Sequence, residues 1–288
     1  MCDRLARHVL AVVILAVALF AVGQSCGQDA VNTGKSVGSD VVRCAVVGGL
    51  NEIDFWPQLA DRFQRATGNR MEIVAAGPKH AIADTIKTGE ADVIVVHNSD
   101  TLMNLVADGF AENPQPWAKN DFVIVGPADD PAKVKGNSDA VAALGRIIAS
   151  RSRLLLHSSS GANELLSDLL AAGGLELDPE TTISVPSDKH RQMLKRAAAE
   201  QAYTLVGRIP FLSGKLETGN LIVMVQGDER LRRPFVVAVA ARPGDRRLEP
   251  ARRFAAFLRE PDTQDFISRF GIGKYDERPL LYPVKAPR

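Results

Sequence analysis

The chain has 288 residues, of which 45% are apolar, 24% charged and 6% aromatic, and its formal net charge is +1. This composition is typical of a soluble globular protein and excludes collagen-like, low-complexity and disordered chains. The 35 basic and 34 acidic side chains nearly balance, which gives no basis for nucleic-acid binding or for a polybasic membrane surface. At roughly 150 residues per domain, the length predicts one large or two medium domains.

The first 25 residues have the pattern of an export signal. Arg4 and Arg7 form a positively charged start, and Val9 to Val22 is an unbroken apolar run of fourteen residues. As a helix such a run spans about 21 Å, which is short of the roughly 30 Å hydrocarbon core of a bilayer. The sequence therefore predicts a signal peptide over residues 1–25, not a permanent transmembrane helix, and hence an exported, periplasmic protein.

Cys26 stands where a bacterial lipoprotein carries its acylated cysteine, and two fates stay open for it. One is lipidation, which would anchor the protein to a membrane, and the other is simple cleavage of the signal peptide. Residues 26–40 are rich in Gly, Ser, Asn and Asp, so we expect a flexible tether there. With Cys26 lipidated, Cys44 has no partner for a disulfide, and we interpret it as a small buried hydrophobe.

Beyond residue 40, strands and helices alternate in short units. The predicted strands are Val41–Val47, Met71–Ala76, Asp92–Val96, Phe122–Val125, Leu154–Leu156, Leu221–Val225 and Phe235–Ala240. The predicted helices are Phe55–Thr67, Lys79–Lys87, Thr101–Ala107, Ala140–Ser150, Ala162–Ala172, His190–Ala202, Arg252–Leu258 and Thr263–Phe270. This alternation indicates an α/β fold with mainly parallel sheets flanked by helices. Three prolines after residue 278 predict an extended C-terminal tail.

Two of the predicted strands, Phe122–Val125 and Phe235–Ala240, flank the middle of the chain. We expect them to cross between two lobes. The first lobe would contain residues 41–120 plus 236–288 and the second residues 121–235. Such a discontinuous arrangement leaves a cleft, and ligands bind where the carboxyl ends of strands meet it.

Two loops of the predicted first lobe lead from a strand into a helix and are candidate ligand loops. In the first, Gly48 and Gly49 allow close backbone approach and the Asn51 amide offers a donor; a plain turn with a helix cap is the alternative. In the second, Gly77 precedes Lys79, whose ammonium could bind an anion; a solvated surface lysine is the alternative.

A third loop, in the predicted second lobe, contains His157, Ser158, Ser159, Ser160 and Gly161. It follows an apolar strand and precedes a helix, so hydroxyl donors and the positive end of the helix would meet there. One serine is enough to cap a helix, and three in a row favour anion binding over capping alone.

Five segments, in the same order, resemble the periplasmic tungstate-binding proteins, which are solute-binding components of tungstate ABC transporters. They are the stretches Gly89–His97, Asn120–Pro127, Ala202–Leu205, Gln226–Leu231 and Pro279–Pro283. The resemblance implies the two-lobed type II fold of periplasmic binding proteins. It also implies a small oxyanion such as tungstate or molybdate as the ligand, a permease as partner, a monomer, no cofactor and no enzymatic activity.

This chain departs from the family in two loops that the resemblance assigns to the ligand. Threonine and serine hydroxyls bind the anion in the family's first loop, where this chain has Val46, Val47, Gly48 and Gly49. The family's arginine in the third loop falls at or near His157. The resemblance places Arg208 near the cleft, where it could replace that arginine.

The sequence suggests three classes of function. The leading one is a binding protein that delivers an oxyanion to an ABC transporter, and the second is a two-lobed sensor or accessory protein for a different anion or an organic solute. A serine hydrolase using Ser158–Ser160 with His157 is disfavoured, because these serines do not stand in a G-x-S-x-G elbow and a His next to a Ser in sequence does not make a triad. The histidines and cysteines have no metal-ligand spacing.

Overall fold

The computed structural model describes residues 41–156, 160–185 and 192–285. The predicted signal peptide, Cys26, the tether and residues 157–159 therefore lie outside the described residues, as does the side chain of Ser160. Over the ranges that are described, no helix combines the length and the apolar character needed to cross a bilayer.

The order of elements follows the prediction closely. The strands are β1 (Val41–Val47), β2 (Arg70–Gly77), β3 (Val93–His97), β4 (Ala111–Pro127), β5 (Leu154–Leu156), β6 (Thr182–Ser184), β7 (Tyr203–Gly207), β8 (Leu221–Val225), β9 (Arg232–Ala240) and β10 (Tyr282–Pro283). The helices are α1 (Phe55–Thr67), α2 (Lys79–Lys87), α3 (Asp100–Ala107), α4 (Ala140–Ala149), α5 (Ser160–Gly173), α6 (Met193–Ala199), α7 (Arg208–Leu212), α8 (Glu249–Phe257) and α9 (Pro261–Arg269). Short 3-10 turns cover Gly48–Glu52, Glu229–Leu231 and Arg246–Leu248.

Helix α1 shows how local sequence determines an element. Phe55, Leu59 and Phe63 recur at helical spacing and are fully buried, so the helix packs one apolar face on the sheet. The helix ends where Gly68 adopts φ 76°, and its N–H donates to the Gln64 carbonyl. A residue with a side chain is disfavoured in that left-handed conformation, which is why glycine ends the helix.

The strands form one continuous set in the order β2-β1-β3-β9-β4-β7-β5-β6, and β8 and β10 also pair with β4. Strands β1, β2 and β3 are parallel, as are β5, β6 and β7, in agreement with the prediction. The sheets are mixed rather than mainly parallel at their centre, because β4 and β9 pair antiparallel with each other and with their other neighbours. The two strands carry the chain in opposite directions between the two halves of the fold.

Strand β4 has 17 residues and belongs to both halves. Its first part, Ala111–Asp121, pairs with β9, and its second part, Phe122–Val125, pairs with β7. The sequence predicted only the second part. Pro114 and Pro116 interrupt the apolar pattern of the first part, and the register with β9 shifts around them.

The described core divides in the same place as the strands. One hydrophobic cluster gathers buried residues from 42–118 and 235–281, joined by Ile209. Two further clusters contain buried residues only from 122–231. This is the two-lobed α/β architecture that was expected, while the exact lobe boundaries stay a prediction. Cys44 is a free, fully buried cysteine, as interpreted from the sequence, and burial raises the pKa of its thiol.

Candidate ligand site

In each half of the fold, the carboxyl ends of the parallel strands lead into the predicted loops. Strands β1, β2 and β3 end at Val47, Gly77 and His97. In the other half, β5 ends at Leu156, directly before the predicted serine loop, and α5 begins at Ser160. This is the edge of an α/β sheet where ligands usually bind.

Lys79 is the first residue of α2 and is partly buried. Burial lowers the pKa of its ammonium, and the nearby positive charge of Arg233 lowers it further, while Glu164 and Asp100 act in the opposite direction. A lysine at a helix start faces the positive end of the helix dipole. A bound anion would therefore offset the unfavourable interactions of the Lys79 ammonium with Arg233 and with the helix dipole.

Arg233, on β9, is the second cation of the site. Its side chain is only 16% exposed, and its Nη2 lies 3.3 Å from Oε2 of Glu164. The guanidinium packs directly on Gly161, because a Cβ added there would overlap Nη1. Arg233 thus reaches from the crossing strand to the first turn of α5, the end of the helix that carries partial positive charge.

His97, at the end of β3, provides a neutral group between these cations. Its Nε2 lies 3.2 Å from Oδ1 of Asn120, and its ring stacks on Phe235 with 4.2 Å between centroids. Burial lowers its pKa to about 3, with further contributions from Arg233 and Lys79. His97 is therefore uncharged at neutral pH and adds hydrogen-bonding capacity without charge.

Sequence reasoning missed Arg233, His97 and Asn120 as site residues. His97 ends one of the segments that carry the family resemblance and Asn120 begins another, but neither was predicted to bind the ligand. A signal for the arginines was present, since Arg232 and Arg233 stand just before Pro234 and the predicted crossing strand Phe235–Ala240. What the sequence does not reveal is that Arg233 pairs with Asn120 and that Phe235 pairs with His97.

Arg208, predicted to bind the ligand, directly follows β7, and its guanidinium is held by other groups of the protein. Its side chain has 0% exposure, and its guanidinium contacts Asp121 at 3.5 Å and Asp276 at 2.5 Å. It also donates to the carbonyls of Pro279 at 2.8 Å and Arg278 at 3.3 Å. These acceptors occupy the guanidinium, so we withdraw Arg208 from the candidate site. It binds the C-terminal segment to the crossing strand instead.

The first predicted loop forms a 3-10 turn, in which Gly48, Gly49 and Asn51 are partly exposed. A Cβ on Gly49 would make only an ordinary contact of 3.8 Å with Pro210, and Gly48 and Gly77 have open space. The Asn51 Nδ2 is buried and has no hydrogen-bond partner within the described ranges. An unpaired buried donor is costly, which favours a role for this amide toward a ligand.

The candidate site is defined by these residues together: Lys79, His97, Asn120, Gly161, Arg233 and Asn51. It combines two cations, a helix start and neutral donors. Within the described part of the chain, no cluster of His, Cys, Asp and Glu could hold a metal ion. The arrangement is suited to binding an anion by charge and hydrogen bonds.

A two-lobed α/β fold with cations at the strand ends is typical of binding proteins of the type II class. The sequence profile of the family described as bacterial extracellular solute-binding protein matches residues 46–273. The chain belongs to this family, which is defined by solute binding and not by a reaction.

Two curated relatives have similar sequences. The tungstate-binding protein TupA of Peptoclostridium acidaminophilum is 28% identical over 290 residues, which cover 98% of this chain and 99% of the relative. A putative ABC transporter anion-binding protein of Haloferax volcanii is 30% identical over 217 residues, or 72% of this chain and 62% of the relative. The resemblance to tungstate-binding proteins is therefore confirmed along nearly the whole sequence.

Two solved structures have a similar fold. The tungstate-binding protein TupA of Desulfovibrio alaskensis matches with a TM-score of 0.70 at 24% identity, over 85% of this chain and 99% of that one. The structure titled tungstate ABC transporter from Geobacter sulfurreducens matches with a TM-score of 0.67 at 22% identity, over 80% and 98%. These likenesses confirm the predicted type II periplasmic binding fold.

Proposed function

We propose that this protein captures a small oxyanion of the tungstate or molybdate type outside the cytoplasm and delivers it to the permease of an ABC transporter. The observation that carries the proposal is the convergence of Lys79 and Arg233 beside the first turn of α5. The names of the relatives support the ligand class and the transporter partner.

Where the family binds the anion through hydroxyl groups, the candidate site would rely more on the charges of Lys79 and Arg233. The first loop contains no Thr or Ser between Val46 and Gly49, so backbone N–H groups and the Asn51 amide would be its donors. Arg233 would supply the guanidinium that the family places in the third loop. Its planar fork can donate two parallel hydrogen bonds to one oxyanion, which a lysine cannot do.

We also propose that the protein is exported from the cytoplasm. The family is extracellular by description, and the first 25 residues have the pattern of a signal peptide. Cleavage before Cys26 would leave a periplasmic monomer, whether free or held to the membrane by an acylated Cys26. Ligand capture would then bring the two lobes together about β4 and β9, and the closed form would be recognised by the permease.

The test is Arg233→Gln, examined by thermal shift with tungstate, molybdate, sulfate and phosphate. Wild-type protein at a hundred times the dissociation constant gains about 2.7 kcal/mol of stability, and the variant should lose most of this gain because its guanidinium is gone. Arg151→Gln is the matched control, since Arg151 is 66% exposed and paired with Glu180 at 2.6 Å. No anion-dependent shift in wild-type protein would overturn the proposed function, and equal shifts in Arg233→Gln and wild type would remove Arg233 from the site.

A further inference from the structure

We propose that Glu164 is an internal competitor of the ligand: its carboxylate occupies Arg233 in the free protein, and the incoming anion displaces it. This inference rests on the proposed function and extends it by naming the residue that sets the affinity of the site for an anion.

The two side chains of this ion pair differ in how firmly the surrounding structure holds them. Arg233 is 16% exposed, whereas Glu164 is 62% exposed, although their atoms approach to 3.3 Å. Arg233 is further restrained by Gly161 against its guanidinium and by the pairing of its backbone with Asn120. Glu164 lies in the second turn of α5, and among the described residues only Arg233 holds its carboxylate. The guanidinium is therefore fixed and the carboxylate is free to leave.

The charges around the pair agree with displacement. Glu164 is also close enough to Lys79 to oppose the lowering of its pKa, so one carboxylate acts on both cations of the site. A carboxylate on an exposed side chain binds weakly, because water competes for it and salt screens it. A dianion held by both cations replaces it, and the residual negative charge of Glu164 then repels the bound anion. Both effects weaken binding, which suits a protein that must release its ligand to a permease.

The tryptophans provide a direct readout. The chain has two, Trp56 and Trp117. Trp117 stacks on Phe235 with 5.7 Å between centroids, and Phe235 stacks on His97. Tryptophan fluorescence should therefore change on binding at this site, and it can be titrated with tungstate, molybdate or sulfate.

Glu164→Gln should bind the dianion about three- to tenfold tighter than wild type at low salt, because the competing and repelling charge is removed. The difference should shrink at 0.5 M NaCl, since screening already weakens Glu164 in wild type. Glu180→Gln is the matched control, as Glu180 is 78% exposed and paired with Arg151 at 2.6 Å. It should leave the affinity unchanged.

Unchanged or weaker binding by Glu164→Gln would overturn this inference, because Glu164 would then be inert or would position Arg233 for the ligand. That result is distinct from failure of the proposed function. If Arg233→Gln loses affinity while Glu164→Gln gains none, the anion site stands and the competitor does not. If Arg233→Gln binds as wild type does, Arg233 is not part of the anion site and the competitor fails with it, whereas the proposed function fails only if wild type itself binds no oxyanion.

Discussion

At the scale of single residues, the candidate site works by the balance of its charges. Burial holds His97 neutral, so the cationic character comes from Lys79 and Arg233. The two cations differ in one respect that can be tested. A guanidinium stays charged at any pH a protein tolerates, whereas an ammonium with a lowered pKa does not.

Lys79 should make anion binding sensitive to alkaline pH. Its pKa lies below the usual value of about 10.4, so its charge is lost at lower pH than for an ordinary lysine. Binding needs the charged form of Lys79. The affinity for molybdate should therefore be highest at pH values below the pKa that Lys79 has in the ligand-free protein, and should fall as the pH rises above it. Fluorescence titrations between pH 7 and 10.5 measure this. Lys79→Arg should keep its affinity throughout, and identical pH profiles for the two proteins would contradict a role for the Lys79 charge.

At the scale of elements, α5 is positioned to present its first turn to Arg233. Gly161 is the residue that permits this approach, because any side chain there would overlap the guanidinium. The requirement is for space and not for an unusual backbone conformation. Gly145, in the interior of α4, has a different environment, since a Cβ there would contact Leu175 Cδ2 at an ordinary 3.6 Å.

The two glycines should therefore respond differently to alanine. Gly145→Ala should raise the free energy of unfolding by about 0.5–1 kcal/mol, as expected for glycine replaced within a helix, and should leave anion affinity unchanged. Gly161→Ala should weaken anion binding by about tenfold or more, because displacing an arginine by an ångström disrupts its hydrogen bonds. Denaturant unfolding and fluorescence titration measure both. A Gly161→Ala protein that binds as wild type would show that Arg233 does not act from this position.

At the scale of the whole molecule, the two lobes and the C-terminal segment meet at Arg208. This residue begins α7 and contacts Asp121 of β4 and Asp276 near the C-terminus. Tyr282 donates to the other oxygen of Asp121 at 3.0 Å, and Arg232 lies over the Tyr282 ring at 4.2 Å. The network fixes the point where β4 passes from one half of the fold to the other.

Breaking this network should cost much stability. Arg208→Gln should lower the free energy of unfolding by about 3–5 kcal/mol, because it leaves two carboxylates near a buried site without their cation. Urea unfolding of the whole protein measures the loss. Arg269→Gln is the control, since Arg269 is 73% exposed and should change stability by no more than about 0.5 kcal/mol. Wild-type stability in Arg208→Gln would mean that the network is not needed to hold the C-terminal segment.

The exchange of roles between Arg208 and Arg233 shows where prediction from sequence ended. Arg208 directly follows β7, and Arg233 is the second residue of β9. Arg208 lies 68 residues from Asp276, which holds it, and Arg233 lies 69 residues from Glu164. No local pattern reports contacts at such separations. Lys79 and Gly161 were found because a helix start is a local feature that hydrophobic spacing and glycine mark directly.

The sequence by itself determined the order of most strands and helices, with α1 and α2 at their exact bounds, and also the type II fold and the family, but it did not predict β6, β7, β10 or α7. Apolar periodicity and the five family segments are patterns of residues close together in the sequence, so they can be recognised without knowing the tertiary contacts. Only the tertiary structure decided that β4 serves both lobes, that the central pairings are antiparallel, and that Asp121 and Asp276 hold Arg208 whereas Arg233 pairs with the exposed Glu164. Those outcomes depend on which distant side chains are brought together, and burial and charge at that meeting point decide whether an arginine is held or left available.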